Sequence, residues 1–179
     1  MIEEQKIKGK SEMKSAIFKK IMVSTDGSEL VKQAVKSAVE IAKLSEAKLY
    51  VVHVITLESH SIIHSLDEEW KKTMKKQLTI KGEAAIAYVE NIGKAANIEV
   101  ESIILEGNPA NEIISFAEKI DIDLIVMGTH EKTELQRFFI GSVAENVIRH
   151  SRKAVLIVKG ESADLLLNAL LKSSGSKTL

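Results

Sequence analysis

The residues best equipped for chemistry lie between Ile122 and Ser142, in the run IDLIVMGTHEKTELQRFFIGS. Leu124-Ile125-Val126-Met127 is an apolar run that stops at Gly128; a polar segment follows, and Gly141-Ser142 opens a helical pattern. This order of residue types predicts a buried strand, a loop and a helix start. In an open parallel sheet, ligands occupy the crevice beyond the carboxyl ends of the strands, and the unpaired N–H groups of a helix N-terminus there attract an anion. Anion binding through the backbone is therefore the chemistry this stretch favours. His130, inside the loop, can donate to a phosphate or bond a carbonyl, and no neighbouring group makes it a catalytic base. Ser142-Val143-Ala144-Glu145 reads as an S-x-x-E capping box, a role that a phosphate contact at the same helix start does not exclude. Earlier in the chain, Asp26 in Thr25-Asp26-Gly27-Ser28 fits an Asx turn or a cap for a helix beginning at Ser28.

Other chemistries find little support. His60 and His64 share a helical spacing, but no third ligand stands in a metal-binding pattern, so both read as exposed loop residues. There is no Walker A, G-x-G-x-x-G, H-E-x-x-H or G-x-S-x-G string, and no cysteine for thiol catalysis, disulfides or thiolate metal sites. Lys plus Arg and Asp plus Glu each number 25, so no net field draws nucleic acid or an acidic membrane, and an anion must be held by local geometry. A length of 179 residues, 45% of them hydrophobic, predicts one globular domain of ordinary size. The charged N-terminal run lacks an apolar segment of signal-peptide length, and no later run is long enough to cross a bilayer; the chain reads as cytoplasmic.

The elements that must position the loop follow from periodicity. Residues 1–16 form a charged arm with no sustained period, read as a loosely docked or disordered segment or a short helix. Phe18–Ser24 predicts a first strand, and Val31, Ala34, Val35, Ala38 and Ala42 give the next helix its apolar face, with Ser28 able to cap it. Lys48–Ile55 predicts a second strand, almost continuously apolar as in a sheet covered on both faces. Residues 56–66 read as a loop or frayed helix start. A long helix then runs to about Ala96, with Met74, Leu78, Ala85, Val89, Ile92 and Ala96 on one face. Ile98–Leu105 predicts a third strand; Asn108 as cap and Pro109 in the first turn start a helix buried through Ile113, Ala117 and Ile120. The strand Ile122–Met127, a helix from Ser142 to about His150, and the strand Lys153–Lys159 complete the pattern. Five strands alternating with helices specify an α/β fold: an open, doubly wound parallel sheet with helices on both faces. Residues 17–160 form this domain, and 161–179 hold a short leucine-rich helix, Leu165–Leu171, with a flexible end. That helix reads as docked on apolar surface or as a contact for a protein partner.

Val23-Ser24-Thr25-Asp26-Gly27-Ser28, His53-Val54-Ile55, Gly107-Asn108-Pro109, and Met127-Gly128-Thr129-His130 through Gly141-Ser142-Val143 together resemble the universal stress protein family, over about Phe18 to Lys159. The resemblance implies a Rossmann-like, adenine nucleotide alpha hydrolase-like sheet in the order 3-2-1-4-5 and a homodimer through the last strand. In one branch of the family it also implies ATP, with or without Mg2+, at the carboxyl ends of the strands. That branch is marked by Gly, two residues, Gly, nine residues, then Gly followed by Ser or Thr. Gly128 and Gly141-Ser142 match, and Glu131 stands where the middle glycine belongs. A glycine there permits positive φ and lets N–H groups curl around phosphate oxygens; glutamate strains that backbone and adds a carboxylate facing the anion.

Two readings follow. In the first, Asp26 and the backbone near Val54 hold adenosine, while Gly128, His130, Gly141, Ser142 and Val143 surround the phosphates, with Met127 and Glu131 in the same strand and loop. In the second, the chain is a dimeric interaction module that binds no nucleotide, with Glu131 as its signature. Neither reading requires a catalytic residue, and at most slow ATP hydrolysis is expected.

Overall fold

Alternation along the strands sorts the apolar side chains into two layers. In the computed structural model, which describes residues 17–57, 67–129 and 140–159, five strands run parallel. They are β1 (Lys20–Ser24), β2 (Lys48–Ile55), β3 (Val100–Glu106), β4 (Leu124–Gly128) and β5 (Ala154–Val158), in the order β3-β2-β1-β4-β5. The helices are α1 (Lys32–Ser45), entered through a 3-10 turn at Glu29–Val31, then α2 (Glu68–Ala95), α3 (Pro109–Lys119) and α4 (Ser142–His150). Ile21, Val23, Leu49, Val51 and Val126 meet Ala34, Val35 and Ala38 of α1 and Ile86 and Val89 of α2. Met22, Tyr50, Val52, Ile125 and Met127 meet Ala110, Ile113 and Ala117 of α3 and Ala144 and Val147 of α4. The helices therefore cover both faces of the sheet, and the central strand has no solvated side: Ile21, Met22 and Val23 are fully buried. That is why the strands read as apolar runs and not as alternating patterns.

Helix ends depart most from the sequence expectation. Glu46, Asn97 and Asp121 each adopt positive φ (53°, 57° and 58°) just past a helix. The next residue then bonds back across the last turn, Ala47 N–H to Ala42 O, Ile98 N–H to Gly93 O and Ile122 N–H to Ala117 O, at 2.8, 3.1 and 2.8 Å. This is the Schellman closure, made here without glycine at the left-handed position. It is compensated because the residue that follows packs inward: Ala47 and Ile122 are buried, and Ile98 packs against the α1/α2 layer. Ile98 is thus consumed in closing α2, and β3 starts at Val100, two residues later than periodicity predicts. Ile122 plays the same part for α3, so β4 starts at Leu124. At the helix starts, Asp67 accepts from Trp70 N at 2.9 Å and Asn108 from Asn111 N at 3.2 Å, with Pro109 in the first turn as expected.

The charged arm, His60, His64, His130, Glu131 and the leucine-rich segment lie outside the described residues. Among the described residues no helix is long and apolar enough to cross a membrane.

Candidate functional site

The order β3-β2-β1-β4-β5 reverses direction between β1 and β4, and the crevice at such a switch point is where open α/β sheets hold ligands. A cavity of about 280 Å³ opens there, at the carboxyl ends of β1, β2 and β4. It brings together seven of the residues singled out from sequence: Asp26, Val54, Met127, Gly128, Gly141, Ser142 and Val143. Its remaining wall includes Val31, Val52 and Ile113, and Asp26 is the only carboxylate among the described lining residues. An apolar slot lined by a carboxylate and by a helix start suits a flat ring carrying polar edges and joined to an anion.

Each edge of the cavity has a local cause. Asp26 Oδ1 accepts from Ser28 N at 2.9 Å, the Asx turn expected from TDGS, and Thr25 Oγ1 accepts from Gly27 N at 3.2 Å. Gly27 sits at φ 77°, and a Cβ on it would stand 3.0 Å from Ala85 Cβ, so the turn rests directly on α2. Ser28 does not cap a helix as expected. The chain enters a 3-10 turn first, Val31 N–H bonds the Ser28 carbonyl at 3.3 Å, and the hydroxyl is buried without a partner among the described residues. At the end of β4, a Cβ on Gly128 would lie 3.3 Å from Val31 Cα, which leaves little room for a side chain between strand and turn.

The start of α4 also corrects the sequence reading. Gly141, at φ 89° and ψ 142°, occupies the cap of α4, and Ser142 is already the first helical residue. The capping box is therefore not formed: Glu145 accepts instead from Arg149 Nε and Nη2 at 3.0 and 2.8 Å. Gly141 brings no side chain to satisfy the first N–H groups of α4, in contrast to Asp67 and Asn108 at the starts of α2 and α3. An anion is the natural partner for such a terminus.

His53 also lines the cavity, although its sequence motif gave it no role. The readable signal was an imidazole interrupting the apolar run of β2. The clearest pKa displacements lie in surface ion pairs. Hydrogen bonds to Glu99 and Glu101 raise Lys48, and a hydrogen bond from Lys153 lowers Asp121. Among the described residues no cluster of His, Asp or Glu is arranged to hold a metal.

The model of the universal stress protein family matches residues 17–159. The chain belongs to the universal stress protein family. A universal stress protein of Methanocaldococcus jannaschii is 39% identical over 143 residues, 80% of this chain and 83% of that relative. A universal stress protein solved in complex with cAMP has 27% identity and a TM-score of 0.60, over 80% of this chain and 98% of its own. The universal stress protein from Archaeoglobus fulgidus, solved in complex with dAMP, has 26% identity and a TM-score of 0.59, over 80% of this chain and 99% of its own.

Proposed function

We propose that this universal stress protein is a cytoplasmic stress-response protein that binds an adenine nucleotide, ATP with or without Mg2+, in the cavity between β1 and β4. The observation that carries this reading is the continuity of an apolar slot beside Asp26 with the N-terminus of α4 behind Gly141. Two relatives of the same fold, captured with cAMP and dAMP, support an adenine ring as the occupant. In this reading Asp26 and the backbone near Val54 hold the nucleoside. Met127, Gly128, Gly141, Ser142 and Val143, with His130 and Glu131 of the intervening loop, surround the phosphates. Native mass spectrometry of freshly purified protein, followed by calorimetric titration with ATP, tests it; no bound nucleotide and no heat from any adenine nucleotide would favour the nucleotide-free module.

Glu131 sets the strength of binding. A carboxylate about 4 Å from one phosphate charge costs about 4 kcal/mol at an effective dielectric of 20. Lys132 and Arg137 of the same segment, and rotation toward solvent, reduce this to about 1 to 2 kcal/mol, or about ten- to thirtyfold in affinity. Glu131→Gln, which removes only the charge, is expected to tighten ATP binding by that factor, and Glu131→Gly to tighten it further because it also relaxes the backbone. Equal affinities in all three proteins would show that Glu131 faces away from the phosphates.

We also propose a homodimer through the strand Lys153–Lys159. Its core, β5, pairs with β4 on one side, and Val155, Leu156 and Ile157 are only partly buried in the single chain. An apolar sheet edge of this kind invites a second copy. Sedimentation should give a dimer at micromolar concentrations, weakened by Ile157→Lys; a monomer throughout that range would remove the proposal.

A further inference from the structure

We propose that His53 is a positioning residue of the nucleotide cavity: its ring, held between the Thr25 carbonyl and Gly82 of α2, fixes the turn that presents Asp26. The inference rests on the nucleotide reading for its functional half. The β1–β2 ladder ends where Thr25 N–H reaches Val52 O at 2.9 Å, and the Thr25 carbonyl is then met by His53 Nδ1 at 2.8 Å. A carbonyl supplies no proton, so Nδ1 carries the hydrogen and donates it. The imidazole thereby extends the strand pairing by one bond made through a side chain.

On its other side the ring touches α2 where that helix has no side chain. A Cβ on Gly82 would stand 2.5 Å from His53 Cδ2 and 3.0 Å from Nε2, so only glycine lets the helix come this close. One helical turn later Ala85 meets the same turn directly, at Gly27. Helix, ring and turn thus form one stack, and the hydrogen bonds within the turn, Gly27 N to Thr25 Oγ1 and Ser28 N to Asp26 Oδ1, depend on where the Thr25 carbonyl is held. Asp26 is the cavity's carboxylate, so a ring that shifts moves the nucleoside end of the site and not the phosphate end.

The side-chain amide of asparagine can replace Nδ1–H, whereas glutamine places its amide near the Nε2 position and misses Thr25. In the full-length protein without ligand, His53→Asn should keep the wild-type amide exchange rates of Gly27 and Ser28, while His53→Gln and His53→Ala speed them about tenfold, as expected for one lost hydrogen bond. In titrations, His53→Gln should weaken adenosine and ATP by the same factor of about ten, with His53→Asn close to wild type. Gly82→Ala should weaken both ligands in the His53 protein but not in the His53→Asn protein, whose shorter side chain leaves room for the methyl group. Asn, Gln and Ala variants that behave alike, whether all normal or all impaired, would overturn the positioning role. If the exchange pattern holds but wild-type protein binds no nucleotide, the proposed function fails and the turn-holding role of His53 stands.

Discussion

Ile125→Ala is expected to destabilise the protein by about 3 to 4 kcal/mol, within the range measured for removing a fully buried isoleucine. Ile125 is fully buried on β4, paired in register with Met22 of β1 and Val155 of β5, and packed in the layer beneath α3 and α4. Loss of three methylene-sized groups accounts for about 2.4 kcal/mol at about 0.8 kcal/mol each, and the remainder is the cavity left behind. Collapse around the site is restricted because its lateral neighbours are strand backbones fixed by the ladders on both sides. A midpoint lower by about 10 °C is the corresponding thermal shift for a chain of this size. Urea unfolding at one fixed protein concentration provides the check, since a dimer would make the apparent stability depend on concentration. A loss below about 1 kcal/mol would mean that β4 is not the rigid centre its burial indicates.

Periodicity was sufficient for the succession of strands and helices and for the buried face of α1, whereas the strand order came from the family resemblance and the buried face of α2 also includes Gly82, Ile86 and Gly93. The residues assigned to the inner face of α1, Val31 through Ala42, are all buried, and β2 spans Lys48–Ile55 as its apolar run predicts. Helix ends were harder because their usual punctuation is absent. Glu46, Asn97 and Asp121 take left-handed backbone without being glycine, and what stabilises them is the apolar residue that follows, a tertiary contact. The site divides in the same way. Asp26, Gly128 and Gly141 were legible because turn residues stood directly after or before apolar elements. The capping roles read for Ser28 and Ser142 are not formed, because a 3-10 turn displaced one and a glycine cap displaced the other. His53 could not be assigned from its motif, since its role depends on Gly82, a residue distant in sequence that only the crossing of α2 over β2 brings alongside.

Gly141→Val is expected to lower ATP affinity at least about tenfold with a much smaller effect on overall stability. At φ 89° and ψ 142° the backbone lies in a region that residues with a Cβ rarely enter, and a β-branched side chain is the least able to follow. Strain of about 1 to 3 kcal/mol is the general cost of such a conformation. The chain can escape it by unwinding the first turn of α4, while the contacts of Val147 in the next turn hold the helix to the core. Unwinding leaves those contacts in place but turns the N–H groups of Ser142 and Val143 away from a common point, and an anion is bound only while they converge. The strain therefore appears mainly as lost phosphate affinity: about 1.4 kcal/mol is already tenfold. Adenosine, which has no phosphate, should bind Gly141→Val and wild type alike, and this sets the variant apart from His53→Gln, which weakens both ligands. Calorimetric titration of ATP and adenosine, with thermal melts of the same samples, decides the matter. An unchanged ATP affinity would place the phosphates away from α4, and an equal loss for adenosine would show that the substitution disturbs the whole cavity.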